Sequence, residues 1–168
     1  LRRMGRKYNA QEFKQLVDEA RRRIPKVSIT TDAIVGFPGE SEAEFAASLR
    51  FIEQMQFARL HVFKYSRRAG TPAAQMPDQV PIGVARARSE RLISLGRCMS
   101  LQFHRRFINT EVEVLFESAC DAHGTRLWNG LTDNYLRVSV PSRDDLSNVV
   151  ATVRCLSASE MGLSAELV

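Results

Sequence analysis

The sequence predicts an α/β unit followed by a small all-β barrel, and three observations predict it. Residues 30–41, TTDAIVGFPGES, read as a buried strand, a sharp glycine and proline turn and the capped start of a helix. A second strand pattern follows that helix, so residues 27–65 form a strand-helix-strand unit whose right-handed crossover makes the strands parallel. Near Asn109 the apolar period changes from helical to two, and short strand patterns separated by turn residues fill the rest of the chain.

Each element has its own signal. Asn9 and Glu12 form a capping pair, and Phe13, Leu16, Val17, Ala20 and Ile24 recur at helical spacing until Pro25 stops the helix. Residues 27–35 read as a strand because Val27, Ile29, Thr30, Thr31, Ile34 and Val35 are β-branched. Ser41 with Glu44 repeats the cap, and Phe45, Leu49, Ile52 and Met55 draw one apolar stripe along the second helix. Residues 58–65 are the second strand. Residues 66–83 carry Pro72, Pro77 and Pro81 and few apolar groups, which reads as a long irregular connection. Residues 84–107 return to helical spacing through Ala87, Leu92, Leu95, Met99 and Phe103. Arg86, Arg88, Arg97, Arg105 and Arg106 charge that helix, on a face for solvent or for a phosphate-rich partner.

In the last part, Val112, Val114 and Phe116 alternate with Glu111, Glu113 and Glu117, and further strands are expected at residues 126–128, 134–140, 149–156 and 163–168. Turns are expected at residues 121–124, at Asn129 with Gly130, at 141–145 and at Gly162. A closed barrel of the OB or SH3-like kind fits five short strands, with a domain boundary that gives residues 1–107 and 108–168. Trp128 and Tyr135 read as barrel core, and Met4, Met55, Met76, Met99 and Met161 as core filler.

Composition narrows the function. Hydrophobic residues are 44% and charged residues 26% of the chain, as in an ordinary globular protein. No run approaches the ~18 apolar residues of a membrane span, and no signal segment opens the chain, so a cytoplasmic setting without a membrane is expected. The net charge of +5 is uneven: residues 59–106 hold ten Lys and Arg against two Asp and Glu, while residues 107–168 hold four against nine. The middle is therefore the surface suited to phosphate. Cys98, Cys120 and Cys155 are far apart and His61, His104 and His123 are scattered, so no metal site is expected and the cysteines read as small buried hydrophobes. The basic opening LRRMGRK, which begins at Leu1 rather than at a methionine, suggests a piece of a longer protein.

The strand-helix-strand unit brings three connections to one rim. GFPGE and SRRAGTP open side by side there, with the start of the first helix, and they bring Arg6, the amides of residues 36–39, the positive end of the Ser41 helix, and Arg67 with Arg68. By spacing alone GFPGE is neither a dinucleotide nor a phosphate-loop motif, and a turn that merely positions a cap remains an equal reading. Asp32 and Glu40 flank it, either as an acid and base pair or as turn and capping carboxylates.

Four motifs in order, MGRKY at 4–8, TTDAIVGFPGES at 30–41, HVFKYSRRAGTPAAQMPDQVP at 61–81 and GLTDNYLRV at 130–138, resemble the C-terminal half of a radical S-adenosylmethionine methylthiotransferase. The tRNA threonylcarbamoyladenosine enzymes are most similar, and the isopentenyladenosine and ribosomal-protein enzymes are close. The resemblance implies the C-terminal part of an open, partial TIM-like radical-SAM barrel followed by a TRAM-type barrel. It also implies methylthiolation of carbon 2 of a modified adenosine next to the anticodon of tRNA. The cofactors implied for the full-length enzyme are S-adenosylmethionine and two 4Fe-4S clusters. By position, Arg6 would reach the methionyl carboxylate, and Gly36, Phe37, Pro38, Gly39, Tyr65 and Ser66 would line the S-adenosylmethionine site. Arg67 and Arg68 would face the substrate mouth, and Thr132, Asp133, Asn134 and Tyr135 would face RNA. The cluster motif CxxxCxxC is absent, so no catalytic residue is expected in this stretch and it should be inactive alone. The acidic barrel shifts the main electrostatic contact to residues 59–106. The alternative is a stand-alone RNA-binding module, and the oligomeric state is left open.

Overall fold

Residues 1–122 and 125–168 are described by a computed structural model. His123 and Gly124, expected in a turn, lie outside the described residues. The chain divides into two units, Leu1–Met99 and Ser100–Val168.

In the first unit, α1 (Ala10–Arg23) starts on a reciprocal cap. Asn9 Oδ1 accepts the Glu12 N–H at 2.9 Å while Glu12 Oε2 accepts the Asn9 N–H at 2.9 Å. Only part of the expected stripe is inside: Val17 is buried, whereas Leu16 is 68% exposed. The next strand, β1 (Thr30–Val35), begins later than expected. Lys26 sits at φ 61°, and the Val27 N–H bonds back to Ile24 O at 3.3 Å, so a turn keeps residues 27–29 out of the ladder despite their β-branching.

Helix α2 (Glu42–Met55) repeats the reciprocal cap through Ser41 and Glu44, and its far end is capped from α1. Arg21 Nη2 donates to Met55 O at 2.5 Å and to Gln56 O at 2.8 Å, satisfying carbonyls that the helix leaves open. Strand β2 (Arg59–Lys64) then pairs parallel with β1, from Thr30 opposite Arg59 to Val35 opposite Lys64. Val17, Val35, Phe45, Ile52, Met55, Phe57, Leu92 and Met99 form the core beneath this pair. Each large apolar side chain fully buried there contributes roughly 1.5–3 kcal/mol.

The connection after β2 is not wholly irregular. Thr71 caps α3 (Pro72–Gln75), with Pro72 at its first turn, where a missing N–H costs nothing. Helix α4 (Ile82–Arg105) starts and ends two residues earlier than expected. Its basic row is not a uniformly solvated face, because Arg88 is buried.

In the second unit, β3 (Glu111–Ala122), β4 (Thr125–Leu131), β5 (Arg137–Pro141), β6 (Val150–Ala158) and β7 (Leu163–Leu167) close in the order β3-β4-β5-β7-β6. Closure follows because β3 pairs with both β4 and β6, and β7 pairs antiparallel with β6 and parallel with β5. Val114, Phe116, Trp128, Val138, Val140, Val153 and Cys155 point inward.

Several sequence expectations fail. Asn129 and Gly130 are not a turn but lie inside β4, opposite Ser118 and Phe116. A Cβ at Gly130 would stand 2.3 Å from Leu115 O and 2.6 Å from Val114 Cγ1, so the glycine serves close approach at a bulge in β3. Residues 134–136 are a turn rather than strand, and Tyr135, expected in the core, is 80% exposed. Met161 is exposed at 73%, while Met55 and Met99 are core. Cys98 and Cys120 are exposed; Cys155 alone is buried, and its burial raises its thiol pKa. Among the described residues no helix is long and apolar enough to cross a membrane, and no group of His, Cys, Asp or Glu is arranged to hold a metal ion.

Candidate functional site

The site begins where β1 ends. Val35 is buried, its carbonyl accepts the Tyr65 N–H at 2.8 Å, and this extra rung carries both strands to the same rim. Gly36 turns the chain at φ 75°, and a Cβ there would stand 2.7 Å from Ala85 Cβ, so α4 packs directly on the turn. Phe37 then meets Tyr65 edge-on, with ring centroids 5.5 Å apart, and Pro38 is fully buried. These two rings make an apolar wall. The Tyr65 hydroxyl is buried without a hydrogen-bond partner among the described residues, a costly state that a ligand's polar group would relieve.

Two of the expected free amides in the turn are already committed. The Gly36 N–H donates to Glu40 Oε2 at 2.7 Å, and the Gly39 N–H donates to Asp78 O at 2.9 Å. The positive end of α2 is also occupied. Glu44 accepts the Ser41 N–H at 2.9 Å and pairs with Arg3 at 2.9 Å. Arg3 first and the Ser41 amide second hold the Glu44 carboxyl down at about 2. Glu44 thus already places a carboxylate at this helix terminus, which leaves side chains and the apolar wall a larger part in holding a ligand.

Arg6 meets that need better than the amides do. It lines a cavity of about 470 Å³ together with Arg3, Asp32, Ile34 and Phe37. No ion pair engages its guanidinium among the described residues. Arg3 was missed by the sequence reading. Its Nη2 donates to Gly39 O at 3.2 Å as well as to Glu44, so it braces the turn, and nothing in its local motif announces this. Glu40 is not free to act with Asp32 as an acid and base pair, because Arg88 holds it at 2.8 Å. Asp32 faces the cavity.

The second rim loop is partly tied down. Arg67 Nε donates to Ala74 O at 2.8 Å, so this side chain shapes the loop, whereas Arg68 and Ser66 are exposed. In the second unit Thr132 organises its turn from a buried position. Thr132 Oγ1 accepts the Leu136 N–H at 2.9 Å and lies 2.6 Å from Asn134 Oδ1. Tyr135 is thereby presented outward at φ 63°, with Asp133 exposed beside it. A cleft of about 550 Å³ in the same barrel, lined by Asn129, Arg137, Ser139 and Met161 among others, had no signal in the sequence.

An α/β unit with a glycine turn, a two-ring wall and an arginine without an ion pair among the described residues, followed in the chain by a closed β-barrel with an exposed aromatic turn, has the features of a ligand-binding class. No protein-family model matches the chain. It is 37% identical over 159 residues to the threonylcarbamoyladenosine tRNA methylthiotransferase MtaB of Bacillus subtilis, covering 94% of this chain and 35% of that protein. It is 48% identical over 115 residues to the tRNA-2-methylthio-N(6)-dimethylallyladenosine synthase of Thermobifida fusca, covering 68% of this chain and 23% of the relative. The synthase of Thermoanaerobacter sp. strain X514 is 37% identical over 168 residues, all of this chain and 36% of the relative. Over most of its length the chain is similar to a portion of tRNA methylthiotransferases, which bears out the resemblance carried by its four motifs. It spans about a third or less of the length of these curated relatives.

Proposed function

We propose that this chain is a C-terminal portion of a radical S-adenosylmethionine tRNA methylthiotransferase that modifies carbon 2 of threonylcarbamoyladenosine next to the anticodon. Residues 1–107 are then the C-terminal part of an open radical-SAM barrel, and residues 108–168 a TRAM-type barrel. The observation that carries the reading is the wall at the rim. Phe37 and Tyr65 pack beside a glycine turn, with a buried hydroxyl that has no partner among the described residues, in a chain whose relatives are methylthiotransferases.

The residues proposed for S-adenosylmethionine are Gly36, Phe37, Pro38, Gly39, Tyr65 and Ser66, with Arg6 as a cation for a carboxylate; of these, Arg6 and Phe37 line the cavity, and Tyr65 packs behind Phe37. When bound, that cofactor supplies radical chemistry and a methyl group. The described residues do not fit an iron-sulfur cluster, since Cys98, Cys120 and Cys155 form no ligand group, so both 4Fe-4S clusters belong to the part of the protein outside this stretch. This chain's own work is to seat the adenosyl ligand, keep water from it, and hold RNA. Arg68 offers a point charge to phosphate, and Tyr135 offers a face on which a base stacks. A cytoplasmic tRNA is the partner.

The choice of threonylcarbamoyladenosine rests on the wording of the motif at residues 61–81, while relatives of both substrate types match the chain at comparable identity. Nucleoside mass analysis of tRNA tests it, using a host without its own methylthiotransferases that expresses the full-length protein. Methylthio-threonylcarbamoyladenosine is expected. A methylthio group on isopentenyladenosine, or on a ribosomal protein, would move the substrate within the family. No methylthio product with tRNA binding intact would leave an RNA-binding module.

A further inference from the structure

Arg88 lies on α4 with only 7% of its side chain exposed. Its Nη1 donates to Glu40 Oε2 at 2.8 Å and to the Glu40 carbonyl at 2.9 Å, and its Nη2 donates to Glu42 Oε2 at 3.2 Å. The guanidinium also sits 5.4 Å from the Phe45 ring centroid. Glu40 is nearly as buried, at 12%, and the same Oε2 accepts the Gly36 N–H at 2.7 Å. One carboxylate oxygen therefore links the helix to the first amide of the glycine turn. Ala85, one turn earlier on α4, fills the space that Gly36 leaves by having no side chain. The turn is gripped by α4 twice, once by packing and once by charge.

We infer that Arg88 is a positioning residue for the S-adenosylmethionine site, acting through Glu40 to hold residues 36–39 in the shape that receives the ligand. This rests on the function proposed above. Arg88 itself faces Glu40, Glu42 and Phe45, so its effect on ligand affinity passes through the turn. A buried ion pair with good geometry contributes more to a unique conformation than to net stability, whereas removing one partner leaves a charge stranded in a poor solvent.

The test uses the full-length protein and four variants: Arg88→Met, Glu40→Gln, the two combined, and Arg88→Lys. Methionine keeps the contact with Phe45 but cannot donate. Glutamine keeps an acceptor for the Gly36 N–H but carries no charge. Two readouts are taken, the thermal midpoint and the S-adenosylmethionine Kd by calorimetric titration. Arg88→Met is expected to lower the midpoint and weaken binding. The double variant is expected to regain the midpoint, because no buried charge is stranded. Its Kd is expected to stay about tenfold weaker, ~1.4 kcal/mol, because position 40 is no longer held to α4. Arg88→Lys, which still donates to Glu40, should recover most of the affinity. A double variant with both the midpoint and the Kd of the wild type would reduce Arg88 to packing and overturn the inference. Tyr65→Phe in the same titration separates the two layers. If Tyr65→Phe weakens binding and the double variant does not, Arg88 fails and the cofactor reading stands. If neither changes the Kd, both fail.

Discussion

Gly36→Ala should damage the turn by an amount that can be divided into two parts. The new Cβ would stand 2.7 Å from Ala85 Cβ, and the residue would have to hold φ 75°. The left-handed backbone costs an L-residue roughly 1–2 kcal/mol, and forcing a methyl into a packed contact costs about 1–3 kcal/mol. Ala85→Gly removes the second part only, at a helix cost of about 1 kcal/mol. The double variant should therefore be more stable than the sum of the single effects by about 1–3 kcal/mol. Urea titration followed by far-ultraviolet circular dichroism reads this, because α1, α2 and α3 lie in the first unit. The only tryptophan, Trp128, lies in the second unit and supplies an independent fluorescence signal. Additivity within about 0.5 kcal/mol would mean that α4 does not rest on the turn, and the site geometry would be wrong.

Other outcomes follow from the same contacts. Gly130→Ala should destabilise the barrel by ~1–3 kcal/mol, seen in Trp128 fluorescence, because its Cβ would stand 2.3 Å from Leu115 O; an unchanged transition would contradict the placement of Gly130 inside β4. The Arg3 to Glu44 pair should show in acid. Glu44 has its folded pKa depressed, so the stability it adds is present above about 4.5 and is lost as pH falls toward about 2. Arg3→Gln should flatten that part of the acid slope, and since both side chains are about half exposed, salt should shrink the effect; equal slopes with and without Arg3 would contradict it. Arg68→Ala should lower tRNA affinity and reduce the salt slope by about one contact, while Tyr135→Asn, which tolerates the left-handed backbone, should cost about 1–3 kcal/mol of RNA binding at unchanged barrel stability. Filter binding across a salt series measures both, and unaltered tRNA affinity in both variants would remove the RNA surface proposed for them.

Much of the architecture was legible because local signals agreed with the fold. The caps at Asn9 and Ser41, the β-branched run before Gly36 and the switch to a period of two near Asn109 each mark an element that the structure contains. Misreadings came where one residue type serves two purposes. Gly130 looked like a turn because glycine marks turns, but it relieves crowding against Leu115 within a strand. Tyr135 looked like core because it is aromatic, yet the Thr132 bonds that throw it outward join residues whose roles depend on the turn itself. Arg88 carried an overlooked signal, since it shares a helical stripe with Ala85, Leu92 and Met99, all buried. Its partner Glu40 lies in a different element, and only the folded chain brings the two together. The commitment of the turn's amides to Glu40 and Asp78 was likewise invisible, because hydrogen-bond partners across distant loops leave no spacing in sequence.

The most direct test of the proposed cofactor wall is the S-adenosylmethionine affinity of the full-length protein with Tyr65 and with Tyr65→Phe. The hydroxyl is buried and has no partner among the described residues, so removing it should leave stability unchanged or raise it by up to about 1 kcal/mol. If the cofactor pairs with that hydroxyl, the same change should weaken binding by about 1 kcal/mol, close to fivefold. Weaker binding at undiminished stability is the expected result, and wild-type affinity in Tyr65→Phe would contradict the placement of the cofactor against Phe37 and Tyr65.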